Sequence, residues 1–189
     1  MNAQEIRQFS PDDLTPEVLA MTLEEFLESD LEDYEYVKGE LVPVPPTSAE
    51  HGRISTNLFL PLGVYVRKNQ LGDVYMPDTG FTVGERIMIP DIAFISRERI
   101  PADMSKAFLI PPDLAVEVVS RTDALHRVEE NAFAYLEAGT QLVWVLKPVS
   151  KTVTVYRSET NITLLTRDDT LTGEDVVEGF SCQVAELFE

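Results

Sequence analysis

The chain is short of positive charge, of cysteine and of long apolar runs, and each shortage excludes something. Its 15 Lys and Arg stand against 33 Asp and Glu, a formal net charge of -18, which repels polyanions at long range and works against non-specific nucleic-acid binding. One cysteine, Cys182, excludes an intramolecular disulfide and reads as a structural thiol. No stretch of about 18 apolar residues could span a bilayer. The opening residues, MNAQEIRQFSPDDL, lack the basic patch and apolar stretch of a secretion signal, so no membrane association and a cytoplasmic location are expected. Glycine motifs that cradle phosphate, zinc-ligand spacings and a serine nucleophile elbow are also missing.

What is present suits one domain. At 189 residues and 44% hydrophobic the chain can bury a single core of ordinary size. Residues 1–21, with Pro11 and Pro16, are expected to be an N-terminal extension and residues 22–189 the domain. The basic residues Arg53, Arg67, Lys68, Arg86, Arg97, Arg99, Arg121 and Arg127 lie in the middle of the chain, so a local basic surface is compatible with the overall acidity.

Thr22 and Glu25 form a capping box ahead of a short helix, and YEYVKGELVPV alternates around Lys38-Gly39 like a β-hairpin. Thr47 and Glu50 suggest a second capping box, opening a helix with Ile54, Leu58, Leu62 and Val66 on one face. Pro61 is expected to kink or split that helix. Strand-like pieces follow near 73–76, 79–83 and 86–95, then a proline-bounded loop over 97–112 and the buried strand DLAVEVVS. Asp123 is expected to cap a helix running to about Ala138, with Gly139 as its stop. The strand QLVWVL and a closing hairpin, KTVTVYRS with NITLLTR, complete an α/β (α+β) chain: a mixed sheet flanked by helices.

Two acids interrupt its most apolar strands. Asp91 sits in IPDIAFIS and Glu117 in LAVEVVS, although an unpaired buried charge is costly. Singly, each has an ordinary reading: Asp91 as a turn residue after Pro90, Glu117 as one half of a buried ion pair or an edge residue. If their strands are neighbours, however, both point the same way. Converging carboxylates share a proton or bind a hard divalent cation, for which Mg²⁺ or Mn²⁺ is the natural choice.

Six segments, Tyr34–Leu41, His51, Pro90-Asp91, Glu117–Ser120, Tyr135–Gly139 and Val143–Leu146, make a series. In order and spacing it resembles the Uma-two family of restriction-endonuclease-like proteins, within the PD-(D/E)XK nuclease superfamily, over roughly residues 22 to 188. The resemblance implies a restriction-endonuclease-like core, with the N-terminal and C-terminal hairpins as additions. It also implies Mg²⁺-dependent hydrolysis of DNA phosphodiesters. Carried onto this chain it makes Asp91 and Glu117 metal ligands, adds Glu40 as a ligand directly or through water, and gives His51 a water-positioning or phosphate-positioning role.

One position departs from the pattern. Such nucleases use a lysine to stabilise developing charge or to help deprotonate water, yet Val119 stands two residues after Glu117. The family places its lysine four residues before the tyrosine, and that residue is Asn131 here. Asparagine can orient a water or donate to an oxyanion, but it has no charge. Lys38 is a weaker substitute, since hairpin-tip lysines are usually solvated. Three readings follow: a metal-dependent endonuclease, a catalytically degenerate binding or assembly module that keeps the fold, and a hydrolase of small phosphorylated substrates. A homodimer is expected, because enzymes that cut duplexes often pair by two-fold symmetry.

Overall fold

The computed structural model describes residues 21–29, 31, 34–44, 46–120 and 125–189. The expected extension up to residue 20 and the Asp123 helix cap lie outside them. In chain order the elements are α1 (Leu23–Glu28), β1 (Tyr34–Val37), β2 (Glu40–Pro43), α2 (Ala49–Asn69), β3 (Gly72–Tyr75), β4 (Phe81–Val83), β5 (Arg86–Met88), β6 (Ile92–Ser96), β7 (Leu114–Val118), α3 (Leu125–Ala138), β8 (Leu142–Lys147), β9 (Thr152–Tyr156), β10 (Ile162–Leu165), β11 (Thr170–Thr172), β12 (Ser181–Gln183) and α4 (Val184–Leu187).

A six-stranded sheet in the order β10-β9-β8-β7-β6-β3 forms the centre. Only β7 and β8 run parallel in it, and the other neighbours are antiparallel. Parallel neighbours need a long crossover, and α3 supplies it. The expected mixed sheet flanked by helices is present, with the closing hairpin β9-β10 as one edge. At the other edge the start of β3 requires glycine, because a Cβ at Gly72 would stand 2.0 Å from the Ile95 carbonyl oxygen.

Alternation along the strands sorts side chains between two layers. Ile92, Phe94, Leu114, Val116, Leu142 and Trp144 pack with Ile54, Leu58, Leu62 and Val66 of α2. Ala93, Ile95, Ala115, Val143 and Val145 pack with Val128, Ala132 and Tyr135 of α3. Glu117 shares the parity of Ala115, so its strand turns it toward the α3 layer.

Three local expectations are corrected. The N-cap of α2 is Ser48, whose side chain accepts from the His51 backbone N–H; the Thr47 reading was one residue too early. Helix α2 is not split at Pro61 but runs from Ala49 to Asn69, since four fully buried apolar residues fasten both halves to the sheet and the proline ring sits on the exposed side. The segment 86–95 is two strands, because Pro90 cannot donate a ladder hydrogen bond. Those strands belong to different sheets.

The second sheet, in the order β2-β1-β5-β4, carries the expected hairpin, whose turn residues Lys38 and Gly39 have φ of 51° and 95°. Phe26 of α1 packs with Tyr36, Leu41 and Ile87 on one face of this sheet. Its other face, with Phe81, Val83 and Met88, joins the α3 layer. The polypeptide passes from the second sheet to the central one through Ile89, Pro90 and Asp91.

Candidate functional site

Where the two sheets meet, Asp91 and Glu117 lie on adjoining segments of chain, one just before β6 and the other in β7. Strands β6 and β7 pair with Ile92 opposite Val116 and Ala93 opposite Ala115. One more step of the same register sets Asp91 opposite Glu117, and directly opposed residues of an antiparallel pair share a face. Asp91 itself lies just outside β6, not within a continuous strand. That position gives it freedom to bridge: its Oδ2 accepts from the Val118 backbone N–H at 2.7 Å and meets His51 Nε2 at 3.1 Å. No hydrogen bond to Asp91 Oδ1 occurs among the described residues.

His51 arrives from the opposite helical layer. Its backbone N–H is spent on the Ser48 cap, which fixes the first turn of α2, and its ring is buried at 6% exposure. The helix therefore delivers an imidazole to the carboxylate rather than to solvent.

Tyr135 serves both the core and the site. The residue is fully buried, and its hydroxyl donates to Glu117 Oε1 at 3.0 Å. Burial first, and then the surrounding Glu117, Glu35 and Asp91 charges, push the phenol well above its usual range. It keeps its proton and remains a donor.

Glu35 is the acid that sequence reasoning missed. It projects from β1 on the face opposite the buried Tyr36, and the Ile89 backbone N–H donates to its Oε1 at 3.0 Å. Burial pushes its carboxyl upward; the Ile89 N–H and then the Arg127 and Arg86 guanidiniums pull it back, and the Asp91 charge adds a further upward push. The hint in the sequence was the Tyr-Glu-Tyr alternation, which places the glutamate on one face of the hairpin without revealing that a second layer covers that face.

Glu40 pairs with Val37 in the hairpin register and is exposed at the tip. It lies on the same hairpin face as Glu35, nearer the turn. Asn131 is half-buried on α3, one turn ahead of Tyr135 on the same helical stripe. Lys38 is exposed in the turn itself. Among the described residues no group of three or more His, Cys, Asp or Glu is arranged to hold a metal ion. Asp91 and Glu117 supply two carboxylates, and Mg²⁺ is commonly bound through one or two carboxylates with waters completing its shell. A cavity of about 540 Å³ lined by Glu50, Pro148, Val149 and Lys151 opens between the first turn of α2 and the β8-β9 turn.

Residues 17–185 match the Uma2 family, described as putative restriction endonuclease. This chain belongs to the Uma2 family. The similarity extends to the fold: the crystal structure of a putative nuclease belonging to DUF820, from Anabaena variabilis, superimposes with a TM-score of 0.80 at 24% identity, covering 89% of this chain and 97% of that one. An uncharacterized protein from Synechocystis sp. is 29% identical over 111 residues, 55% of this chain. The Uma2 chain described here spans 61% of the length of that curated relative. Within the family frame the restriction-endonuclease-like core is the central sheet with α2 and α3.

Proposed function

We propose that this chain is a metal-dependent endonuclease that hydrolyses DNA phosphodiesters, with Asp91 and Glu117 as the ligands of Mg²⁺ or Mn²⁺. What supports the reading is the register of β6 and β7, whose next step beyond Ile92 and Val116 would set Asp91 against Glu117, at a junction of two sheets. Family membership supports the reaction class.

The bound cation would polarise the phosphate and lower the pKa of a coordinated water. The rest is work for the chain's own groups. His51 and the Val118 N–H hold Asp91 by Oδ2, which would leave Oδ1 for the cation. Tyr135 holds Glu117 by a phenol that does not ionise. Asn131 orients the attacking water or donates to the phosphoryl oxygen, and Glu40 contributes from the rim through water. In the hydrolysis, the water oxygen bonds to phosphorus and the bond from phosphorus to the leaving sugar oxygen breaks. The water loses a proton to solvent, and the leaving oxygen takes one up.

The neutral Asn131 favours one competing reading, a nuclease fold retained as a binding or assembly module. Calorimetric Mn²⁺ titration and a cleavage panel of plasmid, single-stranded DNA, RNA and small phosphodiesters separate the two. We expect Mn²⁺ binding and DNA cleavage that both disappear in Asp91→Ala and Glu117→Ala. Cleavage confined to small phosphodiesters would replace DNA as the substrate. Cleavage that arises only in Asn131→Lys would establish degeneracy. Two-fold pairing of the molecule belongs to the same proposal, and sedimentation during the titration reports it.

A further inference from the structure

Asn131 leaves the expected lysine position without charge, and the structure offers a replacement. Arg127, Asn131 and Tyr135 are spaced four residues apart and so line one stripe of α3, and the Tyr135 end of that stripe is fixed to Glu117. From the second sheet, Arg86 stands opposite Val37 in register, on the face that also carries Glu35. Both guanidiniums are within electrostatic range of Glu35. Yet among the described residues neither closes to an ion pair or donates a hydrogen bond, unlike Arg99 and Arg157, whose forks are spent on Asp113 and Glu174. In a chain with 15 basic residues and a net charge of -18, two such forks near one half-buried carboxylate beside the acid pair are a concentration of positive charge where the chemistry needs it.

We propose that Arg127, steered by Glu35 and accompanied by Arg86, contacts the phosphate under attack and supplies the charge that Asn131 does not; this rests on the phosphodiesterase reading above. Arginine suits the task because its planar fork matches two phosphate oxygens, as a lysine's point charge does not. It differs from lysine in one respect that can be measured. A guanidinium stays protonated throughout the accessible pH range, so it stabilises charge without ever accepting the proton of the attacking water. Glu35 is then a positioning residue, and its carboxylate orients the forks.

The test uses the full chain with Arg127→Ala, Arg127→Lys and Arg86→Ala. Three quantities are read: Mn²⁺ affinity, binding of a fluorescent DNA oligonucleotide in Ca²⁺, and the single-turnover cleavage rate against pH. Arg127 is exposed, so the variants are expected to fold, and circular dichroism melts check this. For Arg127→Ala we expect Mn²⁺ affinity to be retained, oligonucleotide affinity to fall about tenfold and cleavage to fall about 100-fold. The shape of the pH profile should not change. Arg127→Lys should recover part of both losses. Active wild type with an Arg127→Ala variant that matches it in binding and rate overturns this inference and leaves the phosphodiesterase reading standing. If the wild type binds Mn²⁺ but cuts nothing, oligonucleotide affinity decides, and an unchanged value in Arg127→Ala overturns the inference. Wild type that binds no Mn²⁺ and cuts nothing overturns both.

Discussion

At the scale of single residues, the site is a set of carboxylates each held by a donor of a different kind. His51 contacts Asp91 from a buried position, and partners that orient a metal ligand typically matter by about 10- to 100-fold in affinity. His51→Ala should therefore weaken Mn²⁺ binding by that factor in calorimetry, with α2 still capped by Ser48. Tyr135→Phe removes only the hydroxyl that reaches Glu117. Urea denaturation should show a loss of about 1 kcal/mol, and Mn²⁺ affinity should fall because Glu117 loses its orientation. Asp91 and Glu117 could be singled out from sequence because each stands in a run of apolar neighbours, where charge is unexpected. Glu35 could not. It alternates with tyrosines as any solvent-facing hairpin residue would, and it is half-buried only because that face of its sheet joins the α3 layer.

At the scale of elements, propensity and packing disagree in α2, and packing prevails. Pro61 removes one backbone donor from the helix interior at a cost of about 3 kcal/mol. The buried stripe of Ile54, Leu58, Leu62 and Val66 offsets that loss across both halves. Pro61→Ala should restore the donor and raise the urea midpoint, adding about 1 to 3 kcal/mol of stability. Most elements were visible in the sequence because their periodicities are clean: the four-residue repeat of α2, the alternation in the hairpins, the continuous apolar runs of β7 and β8. The split of 86–95 was not. Periodicity marks both pieces as strand, and only the partners of each, β1 and β4 for one and β3 and β7 for the other, show that they belong to separate sheets.

At the scale of the whole molecule, stability and the candidate site are served by different carboxylates. Asp113, 1% exposed, immediately precedes β7, at the end remote from Glu117. It accepts from the Ser96 N–H, from Arg99 and from Gln141 Nε2. Burial pushes its carboxyl upward, but the Ser96 and Arg99 donors together outweigh that and hold it below the ordinary value of 3.8. A depressed folded-state value means a contribution fully present above about pH 4 and lost as pH falls through the lowered value. Asp113→Asn should accordingly cost about 2 kcal/mol at neutral pH, and its deficit should shrink as urea curves are taken toward strong acid. Constant deficit at every pH would refute the charge argument.

The passage through Ile89, Pro90 and Asp91 has one more consequence. Glu35 and Arg86 travel with the four-stranded sheet, whereas Asp91, Glu117, Asn131 and Arg127 travel with the six-stranded sheet and its helix. A slide of one unit over the other is opposed by the core they share, because Phe81, Val83 and Met88 of the four-stranded sheet pack into the α3 layer. The spacing between the guanidiniums and the acids is thereby fastened by the same apolar contacts that hold the sheets together.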